Sequence, residues 1–310
     1  MAYKFPNTPS SRAYIEELAD YWEILVLKTI DAPIAVQDIL GDLTIELDEI
    51  NHDGIFSEDD IVSDQLKLVM DEIDRRFSAC PNNYPFNLNR TRLEVNPAIS
   101  EYNKSIYIFF LLATRFNMSN YNVQNGLDGT LLFEQLCGPI GKHFWGYNTD
   151  YIINGTSARG GFPERVGDII KLIKEGEGFN NSNHGNVTKK DDGVDIVLVK
   201  NFNDNREGKL IGFGQCKTGT DWQNTIDLTK IRNFTKNWFS TQPVLSPVPI
   251  AFITDTLYYE RNFITDQRGL LVFNRFRLME YLPDDIGTEL YDRILSWVDG
   301  ALEFVKSPAE

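Results

Sequence analysis

Two stretches decide how this chain reads: Val194-Asp195-Ile196-Val197-Leu198-Val199, and Leu210-Ile211-Gly212-Phe213-Gly214-Gln215-Cys216-Lys217. Both are short and rich in β-branched, aromatic and aliphatic residues, so each reads as a strand. The polar connection Asn201-Phe202-Asn203-Asp204-Asn205-Arg206-Glu207-Gly208 makes the pair a hairpin. Alternate residues of a strand share a face, so Gln215 and Lys217 project together and Cys216 points the other way, toward packing. In an antiparallel pair the start of one strand lies opposite the end of the next. Asp195 is thereby brought beside Gln215 and Lys217.

Working outward, residues 221–239 read as an amphipathic helix and 248–254 as a buried-type strand. Residues 269–273 form another strand, and 286–305 a closing helix. Upstream, residues 130–144 are a helix. A second opens at Phe162-Pro163-Glu164, with proline near its first position, and runs to Glu175. Residues 176–192 are a polar loop. This order predicts an α/β fold with a central mixed sheet flanked by helices. Residues 1–120 read mostly as helix: one capped at Ser10-Ser11 and running to Lys28, one over 61–77, and one over 98–117 behind Pro97. Turn chemistry at 121–129 sets the boundary. A mostly helical N-terminal region, 1–125, therefore precedes the α/β domain, 126–310, with its C-terminal strand and helix.

The chain has 310 residues, 42% hydrophobic and 12% aromatic, enough for a well-buried core. Its net charge of −15 is unevenly spread. Residues 1–133 hold 10 basic and 21 acidic residues, whereas 134–240 hold 14 and 13. The acidic flanks read as solvated helix faces or as a docking surface for a basic partner. No apolar run reaches membrane-span length, and Met1-Ala2-Tyr3-Lys4-Phe5-Pro6 lacks a signal stretch. The expectation is a cytoplasmic protein with no membrane partner. Three cysteines and three scattered histidines argue against a disulfide framework and a zinc site.

The residues that converge carry recognisable chemistry. Asp195 offers carboxylate oxygens, Gln215 an amide oxygen and Cys216 a backbone carbonyl. Hard cations such as Mg²⁺, or Mn²⁺ in its place, take oxygen ligands of this kind. Lys217 can neutralise charge on a phosphoryl group or orient a water. One carboxylate would hold the cation weakly, so Glu134, on the helix upstream, is the candidate second acid. Other motifs are weaker. The string 214–219 lacks the glycines of a phosphate-binding loop, because Cys216 and Ile211 occupy those positions. The stretch 49–60 has the central glycine of a calcium loop but reads more simply as a turn and a helix cap. His143 follows Glu134 by nine residues and lies on another helix face. Trp145, Trp222 and Trp238 read as core residues, with base stacking as the alternative.

Asp195 with Gln215-Cys216-Lys217 resembles the Asp…(Glu/Gln)-x-Lys signature of the PD-(D/E)XK, or restriction-endonuclease-like, superfamily. Lys190-Asp191-Asp192-Gly193-Val194-Asp195 resembles the turn that leads into its catalytic hairpin. The glutamine is similar to the Gln-x-Lys branch, which includes Mrr-type restriction enzymes and anti-phage defence nucleases. The resemblance covers about 130 residues, implies a restriction-endonuclease-like core, and gives Glu134 the role of the helical acid. It implies a Mg²⁺-dependent endonuclease, expected on DNA, in prokaryotic defence or restriction, with pairing into a homodimer an option. The alternative it leaves open is a silent nuclease-fold subunit whose acidic N-terminal region docks a helicase or sensor. Two features depart from the pattern: no proline precedes Asp195, and the segment 162–192 is longer than a minimal core needs.

Overall fold

The computed structural model describes residues 2–10, 13–29, 32–43, 58–155, 160–182, 192–257 and 269–307. The calcium-loop-like stretch 49–60 lies outside them except for its last three residues, which begin a helix. In chain order the elements are α1 (Ile15–Lys28), β1 (Ile34–Ala35), α2 (Val36–Leu43), α3 (Glu58–Ala79), β2 (Phe86–Asn89), β3 (Arg92–Val95), α4 (Glu101–Arg115), β4 (Val123–Gln124) and β5 (Leu127–Asp128). Then follow α5 (Gly129–Trp145), β6 (Thr149–Ile153), α6 (Phe162–Ile173), β7 (Ile196–Lys200), β8 (Leu210–Lys217), α7 (Trp222–Thr225) and α8 (Leu228–Trp238). β9 (Val248–Ile253), β10 (Leu271–Phe273), α9 (Arg275–Glu280) and α10 (Thr288–Lys306) complete the chain. Among the described residues, no helix is long and apolar enough to cross a membrane.

The chain divides into two compact units, residues 1–127 with 293–310, and residues 128–292. In the first, helix α4 is buried from Ser105 to Arg115. A helix that is apolar around its whole circumference must be covered on all sides. Trp297 and Phe304 of α10 meet Phe109 of α4 and Phe116 at its C-cap edge-on. That packing is why the closing helix, read from the sequence with the α/β domain, has its residues from 293 onward in the first unit. The reading of 1–120 as helix also passed over the small antiparallel sheet β1-β3-β2. Helix α1 starts later than its Ser10-Ser11 cap would place it, behind an extended Tyr14 that makes no side-chain cap.

The core of this first unit is charged as well as apolar. Arg76 is fully buried and donates to Asp20, Glu23 and Glu72 at 2.6, 2.8 and 2.8 Å. Arg115, also fully buried, donates to Asp20 at 2.5 Å. The hydroxyls of Tyr84 and Tyr107 donate to Glu23. The acids of α1 look like a solvated face in sequence, but they form the inner lining of this unit.

The second unit is built on a five-stranded mixed sheet of order β10-β9-β8-β7-β6. β6, β7 and β8 form an antiparallel meander, and β9 and β10 continue it in parallel with β8. Strand β6 was not read from the sequence, and the single helix expected over 221–239 is broken at Ile226-Asp227, where Asp227 caps α8. Helix α5 covers one sheet face. It approaches closely because a Cβ on Gly138 or Gly141 would collide with Tyr151 or Leu198 at 2.3 and 2.7 Å. Helices α6 and α8 cover the other face, where Val166, Ile169, Val197, Phe213, Ile231 and Phe234 share one apolar cluster. β7 is therefore buried on both sides, which accounts for its unbroken apolar run.

Removing one partner of a buried ion network leaves uncompensated charge, so Arg76→Ala should cost about 3–5 kcal/mol in urea unfolding. An exposed change such as Glu101→Ala should stay within about 0.5 kcal/mol. Burial alone would raise the Glu72 carboxyl, but Arg76 and Arg75 outweigh it and hold it below the ordinary range. A depressed folded-state pKa contributes stability above the unfolded value of about 4.3, and that contribution is lost as the pH falls through the folded value. The destabilisation measured for Glu72→Gln should therefore be full at neutral pH and shrink as the medium is acidified below that range.

Candidate functional site

The site lies where β7 and β8 part at one end of the sheet. The ladder pairs Ile196 with Gly214. The N–H of Asp195 also donates to the Gly214 carbonyl, at 2.8 Å. Two consecutive residues thus oppose one, the arrangement of a β-bulge, which interrupts alternation and re-aims a side chain. The Asp195 carbonyl accepts from the N–H groups of Asn154 and Gly155 at 2.7 and 2.9 Å. Its carboxylate Oδ2 accepts from the Cys216 N–H at 2.7 Å. Asp195 is thus held level with the edge of β8, and its side chain meets the main chain of Cys216. Within a strand the N–H and C=O of one residue point to the same side, so the Cys216 carbonyl opens toward the same gap.

The approach to Asp195 is set by tight local conformation. Asp192 and Gly193 have φ of 47° and 81°, both left-handed. Aspartate tolerates this region better than most residues and glycine adopts it freely. The Trp238 indole donates to Asp192 Oδ2 at 2.7 Å and ties this turn to α8. The Asn154 amide donates to the Val194 carbonyl at 2.7 Å. Arg165 in turn donates to the Asn154 side-chain oxygen at 3.3 Å. None of Asp192, Asn154 and Trp238 was singled out as a site residue from the sequence. The local clue was the Asp-Gly pair, and the partners of that turn are tertiary.

Glu134 lies on α5 and is nearly buried. Its carboxylate rests against Gly155, where an added Cβ would come within 2.5 Å of Oε2. Gly155 is the residue whose N–H holds the Asp195 carbonyl, so Glu134 and the Asp195 main chain flank one glycine. Both carboxylates also act on a pair of thiols, Cys137 and Cys216. Burial raises the Cys137 thiol, with Glu134 and Asp195 adding to the rise. The Cys216 thiol is pushed well above its usual range by burial first, then by Cys137, Asp195 and Glu134. Cys216 therefore packs toward α5, as the strand alternation predicted.

Gln215 and Lys217 lie on the opposite face from the Cys216 thiol, in step with Phe213. Gln215 is buried, and its amide oxygen accepts the Asp227 N–H at the start of α8 at 2.9 Å. One of its two lone pairs is thus committed to positioning that helix. Lys217 is half-buried at the end of β8. His143 faces elsewhere, its Nδ1 lying 3.0 Å from the Tyr281 carbonyl. Trp222 and Trp238 are core residues bonded to Asp255 and Asp192. Trp145 is half-buried over Gly212. Neither Trp222 nor Trp238 has a ring face open for stacking on bases.

Among the described residues, no three His, Cys, Asp or Glu side chains form a ready-made metal cage. The oxygens near Asp195 are of another kind: its own carboxylate, the Glu134 carboxylate across Gly155 and the Cys216 main-chain carbonyl, with the Gln215 amide on the other face of β8. Hard cations such as Mg²⁺ or Mn²⁺ take oxygens of this chemical kind and keep several waters, with one or two carboxylates sufficing. No protein-family model, curated protein or solved structure matches the chain.

Raised thiols stay protonated, and the thiolate is the reactive species. In the native protein at pH 8, iodoacetamide should leave Cys137 and Cys216 unmodified over a time in which a model thiol reacts fully. Both should alkylate once the chain is unfolded, as read by peptide mass. Cys216 is half-buried as a residue, so rapid native labelling there would contradict the upward shift of its thiol.

Proposed function

We propose that the second unit is a metal-dependent nuclease core of the restriction-endonuclease-like kind, cutting phosphodiester bonds in DNA. The observation that carries this reading is the bulge at Asp195, which brings its carboxylate onto the main chain of Cys216, between Gln215 and Lys217. The order α5, β6, α6, β7, β8, α7, α8, β9 supports it: a helix, three mutually antiparallel strands with α6 inserted after the first, two helices, and a strand parallel to β8. So does Glu134, in the role of the upstream helical acid that often completes such a site, flanking Gly155 opposite Asp195. The setting in prokaryotic defence rests on the resemblance alone.

In this reading Asp195, Glu134 and the Cys216 carbonyl would hold the cation, and Gln215 could add its remaining lone pair. When bound, the cation supplies charge neutralisation at the phosphoryl group and acidity to water. The chain's own residues do the rest. Asp195 is fixed by three main-chain hydrogen bonds and a fourth to its side chain, so it needs little reorganisation to act. Lys217 places a compact positive charge where negative charge builds on the phosphoryl oxygens. Gln215 anchors α8 beside the site as a positioning residue as well as a donor.

Purified protein with Mg²⁺ or Mn²⁺ should nick supercoiled plasmid. Asp195→Asn, Lys217→Ala and Glu134→Gln should each lower the rate about 100-fold or more. Thermal melting of each variant, compared with the parent, would separate loss of chemistry from loss of fold. Nicking that persists in both Asp195→Asn and Lys217→Ala would overturn the assignment, as would absence of nicking with any divalent cation.

A further inference from the structure

Helix α8, Leu228–Trp238, carries three charged residues, Lys230, Arg232 and Lys236, and all are basic. The inward positions Ile231, Phe234, Thr235 and Trp238 are buried. The three cations are exposed on the outer surface, interleaved with half-buried Asn233 and Asn237. Lys236 follows Arg232 by four residues, and Asn233 and Asn237 lie between that pair and Lys230 on the other flank, so cations and amides line the outward half of the helix. At a rise of about 1.5 Å per residue, Lys230 and Lys236 are about 9 Å apart along the axis. This strip is a local exception in a chain of net charge −15. By contrast, α6 balances Glu164 and Asp168 against Arg165 and Lys171.

The strip begins at the candidate site. A Cβ added to Gly193, two residues before Asp195, would meet the Lys230 stem at 3.1 Å. The helix cap Asp227 is bonded through its N–H to Gln215. Asp227 also pairs with Lys230 at 3.4 Å, with both side chains nearly half exposed, so Lys230 is partly offset there. Arg232 and Lys236 carry the positive face onward, the guanidinium of Arg232 passing Gly269.

We infer that the outer face of α8 is the track for the phosphate backbone of duplex DNA leading to the site. This rests on the nuclease reading for what the track leads to. The occupant follows from charge and reach. Closely spaced cations with amide donors between them match a polyanion of regular spacing, and duplex DNA carries about one charge per 1.7 Å of its axis. The contacts are to phosphate, so they position the duplex without reading its sequence.

The test is binding in EDTA, where no cutting occurs. The full chain would be titrated against a fluorescein-labelled 20-base-pair duplex and followed by anisotropy over a range of salt. The triple variant Lys230→Gln, Arg232→Gln, Lys236→Gln should weaken binding by about tenfold or more at low salt. It should also reduce the slope of log affinity against log salt by about 2–3, with Lys236→Gln alone removing about 1. Lys171→Gln, an exposed control on α6, should bind like the parent. An unchanged slope in the triple variant overturns the inference, and so does absence of duplex binding by the parent. Loss of polyglutamate binding with duplex affinity intact would also overturn it, by assigning the strip to an acidic protein. Plasmid nicking is read separately. Nicking with an unchanged slope refutes the track and leaves the nuclease, whereas a reduced slope without nicking refutes the nuclease and leaves the track.

Discussion

The hydrogen bond from the Cys216 N–H to the Asp195 carboxylate is the constraint on which the candidate site depends. A regular ladder would turn successive side chains to opposite faces, and Asp195 would follow Val197 into the face covered by α6 and α8. Because Asp195 and Ile196 both oppose Gly214, the ladder slips by one residue at this point. The carboxylate then lies along the edge of β8 instead of over its face. Its carbonyl takes two further N–H donors from 154–155, so the carboxylate has little freedom. A loosely held aspartate would pay ordering entropy on meeting a ligand, and this one has already paid.

That slip sets the Asp195 carboxylate at the strand edge, between two chemically different faces of the sheet. The α5 face contributes Glu134 and two protonated thiols, Cys137 and Cys216. The α8 face contributes Gln215 and Lys217. These two sets lie on opposite faces of β8. Uncharged thiols matter here too. A thiolate beside two carboxylates would add like charge in a buried place, and burial prevents that by favouring the neutral form.

The legible parts of the fold were those whose cause is local. The runs of β7 and β8 are apolar and β-branched; the Asp195 carboxylate meets the main chain near the end of β8, but through a bulge one residue beyond the paired register. Strand β6 escaped notice because Thr149-Asp150-Tyr151-Ile152-Ile153 is short, begins polar and lies at a sheet edge, where alternation is weakly enforced. The strands of the first unit are two to four residues long and have no periodicity to detect. The break between α7 and α8 comes from Asp227, whose side chain takes the Lys230 N–H and starts a new helix. An aspartate inside an amphipathic pattern can do this or stay exposed, and only packing chooses. The partners of Gln215 and Asp192 were illegible for the same reason. Asp227 and Trp238 lie 12 and 46 residues away, on an element whose docking the sequence does not state.

The charged core of the first unit shows the reverse error, in which composition misleads. Glu16, Glu17, Asp20 and Glu23 recur on α1 with the spacing of a solvated face, yet all four are buried. Two arginines from distant helices, Arg76 and Arg115, account for much of the difference. Planar guanidinium groups can serve several carboxylates at once, and Arg76 serves three while also donating to the Glu16 carbonyl. An apolar core tolerates shifts in register, but a network with this many directed bonds does not, because each displacement leaves a buried charge unpaired. The acidity of the first 133 residues is therefore divided in kind. Part of it is internal structure, unable to dock anything, and only the remainder is open to a partner.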